Sequence, residues 1–162
     1  MINFRALFLF FMLACFSFHA GAACQTWSTK NRFSFTGAEV RDKRTGLVWS
    51  RCSVGQEWTG NSCVGSPIAF THEQALQYAE SRNGWRLPNR RELFSLVDKG
   101  CYMPAIDVEA FPGTISDDYW TSSPRVRSSN YAWVVDFSDG RVSEAGARHP
   151  IALYVRLLRI SP

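Results

Sequence analysis

Serine and histidine side chains are the first candidates for chemistry, because nucleophilic catalysis needs an activated serine beside a base. Ser122 and Ser123 lie near the end of a predicted strand, but the chain has no G-x-S-x-G motif. The residues around His72 and His149 do not tie either ring to those serines. The sequence therefore predicts no serine hydrolase, and we expect no enzymatic activity.

Carboxylates are the second candidates, for glycoside hydrolysis or for calcium. Asp118 precedes a predicted strand and Asp139 occupies a predicted turn, so ordinary structural roles account for both. Asp117, Asp118 and Asp136 could cluster around calcium, although nothing in their spacing demands it. We predict neither metal nor cofactor, with calcium as the open alternative.

The first residues are typical of an export signal. Arg5 is followed by an apolar stretch at 6–16 that is short for a bilayer span, and A-G-A at 20–22 fits a cleavage motif. We predict a signal peptide at 1–23 and a single periplasmic or secreted domain at 24–162. Lipidation at Cys24 or Cys15 is the alternative. No later stretch predicts a membrane span.

Four cysteines follow the predicted cleavage site, and an even number in an exported chain indicates two disulfides. Three connectivities are possible. Cys52 and Cys63 bracket a polar, glycine-containing loop, so a local bridge is natural, and Cys24 then pairs with Cys101 by elimination. The absence of a C-x-x-C pair argues against structural zinc.

The basic residues are mostly arginine, with lysine only at positions 30, 43 and 99. Arginine favours planar, bidentate contacts with carboxylate, phosphate or sulfate groups. A formal net charge of +4 is too mild to indicate a nucleic-acid partner.

Two helices are predicted in the first half of the chain. Thr71 with Gln74, and Asn89 with Glu92, match the capping box that opens a helix. The first helix ends at 83–84, with His72 expected in solvent at its start. Pro88 disfavours a helical conformation in the residue before it, so the second helix is predicted at 90–99.

Arg90 and Arg91 lie at the start of the second predicted helix, where acidic residues usually complement the dipole. This local conflict could mark an anion contact. Ion pairs with Asp98 or Glu80 are the simpler alternative. Trp85 and Leu87, two residues apart before this helix, are expected to pack on the core.

Alternating apolar residues predict strands in both halves, an ordered loop at 101–116 and an exposed loop at 122–130. Asp139-Gly140 predicts a type I′ hairpin turn. The strands are predicted at 32–36, 47–49, 119–121, 131–137, 141–143 and 153–160. Helices in the first half with strands at both ends indicate an α+β domain.

Seven short motifs occur in an order that resembles one family. They are T-G-L-V-W at 45–49, W-R-L-P-N-R-R-E-L at 85–93, P-A-I-D at 104–107, F-P at 111–112, Y-W-T-S-S at 119–123, A-W-V-V-D-F at 132–137 and Y-V-R at 154–156. Together they resemble the Lcl C-terminal domain family, long catalogued as a domain of unknown function and named from a bacterial collagen-like adhesin. The resemblance covers roughly residues 32–159.

The resemblance implies a C-type-lectin-like fold, with two helices, paired terminal strands and a second small antiparallel sheet. Its formylglycine-generating relatives use a late redox cysteine pair, but this chain has no cysteine after Cys101. The resemblance also implies a ligand on the loops of the second half, at 114–150. Aromatic rings there can stack on sugars, and arginines suit sulfate or carboxylate groups. The candidate ligand-binding residues are Arg125, Arg127, Tyr131, Arg141 and Arg148.

Two functions fit this reading. The first is an exported binding or adhesion module for an anionic or sulfated polysaccharide, as the resemblance to the adhesin implies. The alternative is a structural or assembly component of a periplasmic or surface complex, whose exposed loops meet another protein. Trp120 and Trp133 lie within predicted strands and are expected to pack in the core. The sequence does not indicate an oligomeric state.

Overall fold

The computed structural model describes residues 29–146 and 151–160, which form three helices and nine strands. The helices are α1 (Thr29–Arg32), α2 (His72–Glu80) and α3 (Arg90–Phe94). The strands are β1 (Phe33–Thr36), β2 (Glu39–Asp42), β3 (Leu47–Ser50), β4 (Glu57–Trp58), β5 (Cys63–Val64), β6 (Asp118–Arg125), β7 (Ser128–Asp136), β8 (Val142–Gly146) and β9 (Leu158–Ile160). This mixture of helices and antiparallel sheets confirms the α+β class.

Both predicted capping boxes are present. The side chain of Thr71 accepts a hydrogen bond from the backbone of Gln74, and the Gln74 side chain reaches back to Thr71. Asn89 and Glu92 form the same reciprocal pair at the start of α3, at 2.9 and 2.7 Å. None of the helices described here is long and apolar enough to cross a membrane.

The second helix is shorter than the predicted 90–99, because it ends at Phe94. Val97 forms an isolated bridge with Ile106, and the N–H of Asp98 donates to the carbonyl of Ala105 at 3.0 Å. These pairings with the loop that follows compete with further helical turns. The apolar residues Leu96 and Val97 are therefore buried or partly buried without being part of the helix.

Three separate antiparallel sheets organise the chain, in the strand orders β1-β2-β3-β9, β4-β5 and β6-β7-β8. The last strand pairs with β3, through Leu47 opposite Ile160 and Trp49 opposite Leu158. The expected direct pairing of the terminal strands is therefore wrong, since β1 lies at the far edge of that sheet.

The exposed loop predicted at 122–130 is instead a hairpin. Strand β6 continues to Arg125 with irregular register after Trp120, and β7 begins at Ser128 after a two-residue turn. The predicted type I′ turn at Asp139-Gly140 is also wrong, because Gly140 alone of the two has a positive φ. The Asp136 carboxylate accepts the N–H of Ser138, which favours a longer turn.

The last predicted strand, 153–160, is interrupted. Only Leu158–Ile160 forms β9, whereas Leu153 and Tyr154 make isolated bridges. Between them lies Arg156, whose side chain is fully buried. Its guanidinium donates to the carbonyls of Ser50 and Arg51 and to two hydroxyls. The hydroxyl acceptors are Ser53 Oγ at 3.2 Å and Thr114 Oγ1 at 2.7 Å.

Both faces of the β6–β7 ladder are buried at the end that holds Tyr119 and Trp120. Tyr119, Val135 and Phe137 join the core formed with α3 and the first sheet. Trp120 and Val134 face the other way, into a second core against α2.

The expectation that His72 is solvated is wrong. Its ring packs against Trp120, with the ring centroids 5.0 Å apart, and its Nε2 lies 2.9 Å from the carbonyl oxygen of Thr121. Leu87 lies in the second core and the partly buried Trp85 packs against it, as expected.

The predicted disulfide between Cys52 and Cys63 is confirmed. It closes the loop that carries β4 and β5. Cys101 is buried and disulfide-bonded. Its predicted partner, Cys24, lies outside the described residues, so that pairing stays a prediction.

Arg156→Lys should lower the free energy of unfolding by about 2–4 kcal/mol, because one ammonium cannot satisfy all four acceptors of the guanidinium. Chemical denaturation would measure the change. Arg159→Lys is the matched control, since Arg159 makes a partly exposed ion pair with Glu39 and should cost about 1 kcal/mol or less. Equal losses in the two variants would contradict the role assigned to Arg156.

Candidate functional site

The candidate site lies where α3 stops covering the face of β7. Alternate residues of a strand point to the same face, so Tyr131, Trp133 and Val135 share one side of β7. Val135 is buried in the same core as Leu93 of α3. Trp133 is half-buried and Tyr131 is exposed, because α3 begins at Arg90 and leaves this end of the strand open.

The start of α3 places an arginine on the exposed tryptophan. The backbone N–H of Arg90 donates to Ser123 Oγ at 3.0 Å, which fixes the helix start against β6. The Arg90 guanidinium carbon then lies 4.4 Å from the ring centroid of Trp133, a cation–π geometry. The helix cap and the strand together determine this arrangement.

Two adjoining open cavities meet at this pair, and we call them together the Trp133 groove. One, of about 370 Å³, has an apolar wall formed by Phe94, Trp133 and Val142. The other, of about 470 Å³, is bordered by Asn89, Ser123, Pro124 and Val126. Arg90, Arg91 and Trp133 line both cavities.

The arginines of the groove carry uncompensated charge. Among the residues that the structure describes, neither Arg90 nor Arg91 forms an ion pair, and the alternative of pairing with Glu80 or Asp98 is wrong. Arg91 is exposed to solvent. Two cations beside an aromatic face can bind an anionic ligand that also has an apolar surface.

Three of the predicted ligand-binding residues lie next to this groove. Arg125 sits over the ring of Tyr131, with 5.8 Å between the guanidinium carbon and the ring centroid. Its Nε also pairs with Glu144 on β8 at 3.2 Å. Arg127 is exposed in the turn that joins β6 to β7.

Arg141 is not part of this group. It follows the turn at the opposite end of β7, where it pairs locally with Asp139. The seven residue steps along β7 from Ser128 to Val135, the partner of Val142, span roughly 23 Å. Arg141 therefore does not lie with Arg125 and Arg127, although the sequence grouped the three as candidate ligand-binding residues. Arg148 lies outside the described residues.

Three residues of the groove were not among the ligand-binding residues predicted from the sequence: Arg90, Arg91 and Trp133. The two arginines gave a signal, because basic residues at a helix start oppose the usual preference. Trp133 was assigned to the core, and it is only half-buried, whereas Trp120 is fully buried as predicted. The two-residue step from Tyr131 to Trp133 could have placed both on one face.

A separate group of carboxylates lies at the other end of the β6–β7 hairpin. Asp118 faces Asp136 across the two strands. The pKa of Asp118 is raised to about 6, mainly by burial and to a lesser extent by the negative charges of Asp136, Asp117 and Asp139. Nowhere in residues 29–146 or 151–160 do three or more His, Cys, Asp or Glu side chains come together in a way that could hold a metal ion.

Asp118→Asn should raise the free energy of unfolding at pH 7, by about 1 kcal/mol after allowance for solvent screening. The folded protein binds this proton more tightly than the unfolded chain, whose ordinary value is 3.8. Ionisation of Asp118 therefore costs stability as the pH rises through about 6, and the advantage of the variant should disappear as the pH falls to about 4. Thermal unfolding across this pH range would measure it.

The exposed Glu80→Gln on α2 is the charge-matched control for that series. If the difference in the free energy of unfolding between Asp118→Asn and the wild type does not change with pH, the burial of this carboxylate is contradicted.

A model of the Lcl C-terminal domain family matches residues 38–159 of the chain. The match includes α2, α3, all of the β6-β7-β8 sheet and most of the first sheet. A search of curated proteins gave no match.

Proposed function

The chain belongs to the Lcl C-terminal domain family, and we propose that it is a non-catalytic, exported binding module for an anionic polysaccharide, which it holds in the Trp133 groove. The observation that carries this proposal is a pair of arginines, Arg90 and Arg91, that form no ion pair with any residue the structure describes and that lie beside the half-exposed Trp133. The disulfide between Cys52 and Cys63 supports an oxidising compartment such as the periplasm or the cell exterior.

The groove offers both kinds of contact that a charged sugar needs. The wall of Phe94, Trp133 and Val142 can pack on the apolar face of a sugar ring. Arg90 and Arg91 supply planar groups of donors that match sulfate or carboxylate oxygens. Stacking on Trp133 holds Arg90 in place, which reduces the side-chain entropy lost when it binds an anion.

We further propose that the domain has the C-type-lectin-like fold. In support, the first sheet collects strands from both ends of the domain, and the two capped helices follow it. The later half then builds a separate three-stranded sheet, and this sheet carries the proposed binding surface. Binding on the later half is what the resemblance implied.

A protein partner is the second candidate function, in a periplasmic or surface assembly. Val126 at the tip of the β6–β7 hairpin is 97% exposed, and Phe94 and Tyr131 are each 39% exposed. An apolar tip flanked by aromatic and arginine side chains has the composition of a protein-interaction surface.

The double substitution Arg90→Glu/Arg91→Glu should weaken binding to immobilised heparin by about tenfold or more, because it places two repulsive charges in the groove. Binding of the wild type should fall with added salt, since exposed charges are screened over about 10 Å at 0.1 M. Retention on the column and a titration at several salt concentrations would measure both effects.

Arg41→Glu/Arg44→Glu is the matched control, because it changes the net charge by the same amount at two exposed positions. Arg41 lies on β2 and Arg44 in the turn that follows it. Retention lost equally in both double variants would mean that net charge alone governs binding. If wild-type protein does not bind heparin at low salt, the glycan proposal is wrong. In that case Val126→Asp, which alters only the apolar tip, tests the protein-partner function by its effect on complex formation.

A further inference from the structure

Two arginine–aromatic pairs lie side by side on the exposed face of β7. Arg90 covers Trp133 and Arg125 lies over Tyr131. The two rings are two residues apart on the strand, so their backbone positions are separated by about 7 Å. A linear polymer that enters the Trp133 groove can therefore continue onto the second pair.

The two pairs differ in one respect, which is the presence of a resident carboxylate. Among the described residues Arg90 has no ion-pair partner, whereas Arg125 is paired with Glu144. Glu144 stands directly opposite Trp133 on β8, so its side chain projects from the same face as both rings. It thus occupies the position that an anionic group of a bound polymer would take beside Arg125.

The contact between Arg125 and Glu144 is of a kind that a ligand can displace. The Nε of Arg125 lies 3.2 Å from Oε2 of Glu144, and the side chains are 47% and 27% exposed. Exposed ion pairs of this type add little to stability. A sulfate or carboxylate group arriving along β7 could replace Glu144 without breaking a buried network.

We propose that Glu144 is a specificity-determining residue of this surface, an internal competitor that keeps Arg125 occupied until a densely charged polymer displaces it. The inference rests on the proposed function of the Trp133 groove. Arg90 and Arg91 bind the first anionic group without competition. Arg125 becomes available only to a polymer whose next anionic group lies close enough to outcompete Glu144, so sparsely charged chains gain nothing from the second pair.

Glu144→Gln should therefore increase affinity for heparin by about threefold to tenfold, because it removes a negative charge from the face and frees Arg125. For unsulfated hyaluronan, the dependence of the logarithm of affinity on the logarithm of salt concentration should steepen by about one ion, because Arg125 becomes an additional cation contact for this sparsely charged chain. The affinity ratio between heparin and unsulfated hyaluronan should fall, because the sparsely charged chain now reaches Arg125. Titrations with both polymers, using the full exported domain, measure these quantities.

Two further variants isolate the mechanism. Glu80→Gln on α2 removes the same charge far from the groove and should leave both affinities unchanged. Glu144→Gln/Arg125→Gln removes the freed cation along with its competitor and should cancel the gain. Thermal unfolding of each variant checks that the fold is retained.

The outcomes separate this inference from the proposed function. If Arg90→Glu/Arg91→Glu abolishes heparin binding while Glu144→Gln leaves it unchanged, the competitor role is wrong and the groove remains the binding site. An equal gain in Glu144→Gln and Glu80→Gln, or a gain that survives in the double variant, also overturns it. Absence of heparin binding by the wild type overturns the proposed function and the inference together.

Discussion

The buried guanidinium of Arg156 is the interaction on which the rest of the domain depends. It is fully enclosed, it lies over the rings of Phe111 and Tyr119, and its charge is met by carbonyl and hydroxyl oxygens. Burial lowers the pKa of Arg156 to about 10. Its acceptors come from residues 50–53, where β3 leads into the disulfide-bridged loop, and from Thr114 before β6. One side chain therefore ties its own segment to two others that are distant from it and from each other in sequence.

The position of Tyr119 carries this constraint to the Trp133 groove. The Tyr119 hydroxyl bonds to Ser53 Oγ at 2.7 Å, beside the Arg156 guanidinium, and its ring packs in the core at the beginning of β6. Strand β6 pairs with β7, which sets the face that Trp133 presents. The start of α3 is set independently by its cap and by the two-point contact between Arg86 and Glu92. The groove exists because these two locally determined elements meet.

Local signals in the sequence were sufficient for the helix starts, the early strands, the bridged loop and the α+β class. They failed where pairing with another segment decided the outcome. The end of α3 depends on Ala105 and Ile106, and the interruption of the last strand depends on the acceptors around Arg156. The positions of the arginines depended on strand register, which placed Arg141 at the wrong end of β7 for the site. Alternation within one strand is readable from sequence, whereas the pairing of strands across a long loop is not.

The β6–β7 hairpin separates charge along its length. Its turn end carries Arg125 and Arg127 close to Arg90 and Arg91, and its other end carries Asp118 facing Asp136. Such a separation gives the hairpin an electric moment roughly parallel to β7. For the polyanion that we propose as the ligand, the field along the polymer would exert a torque on this moment and turn the arginine end toward it before contact. Under that proposal, the charged ends of one hairpin would influence how fast the domain finds its ligand as well as how tightly it holds it.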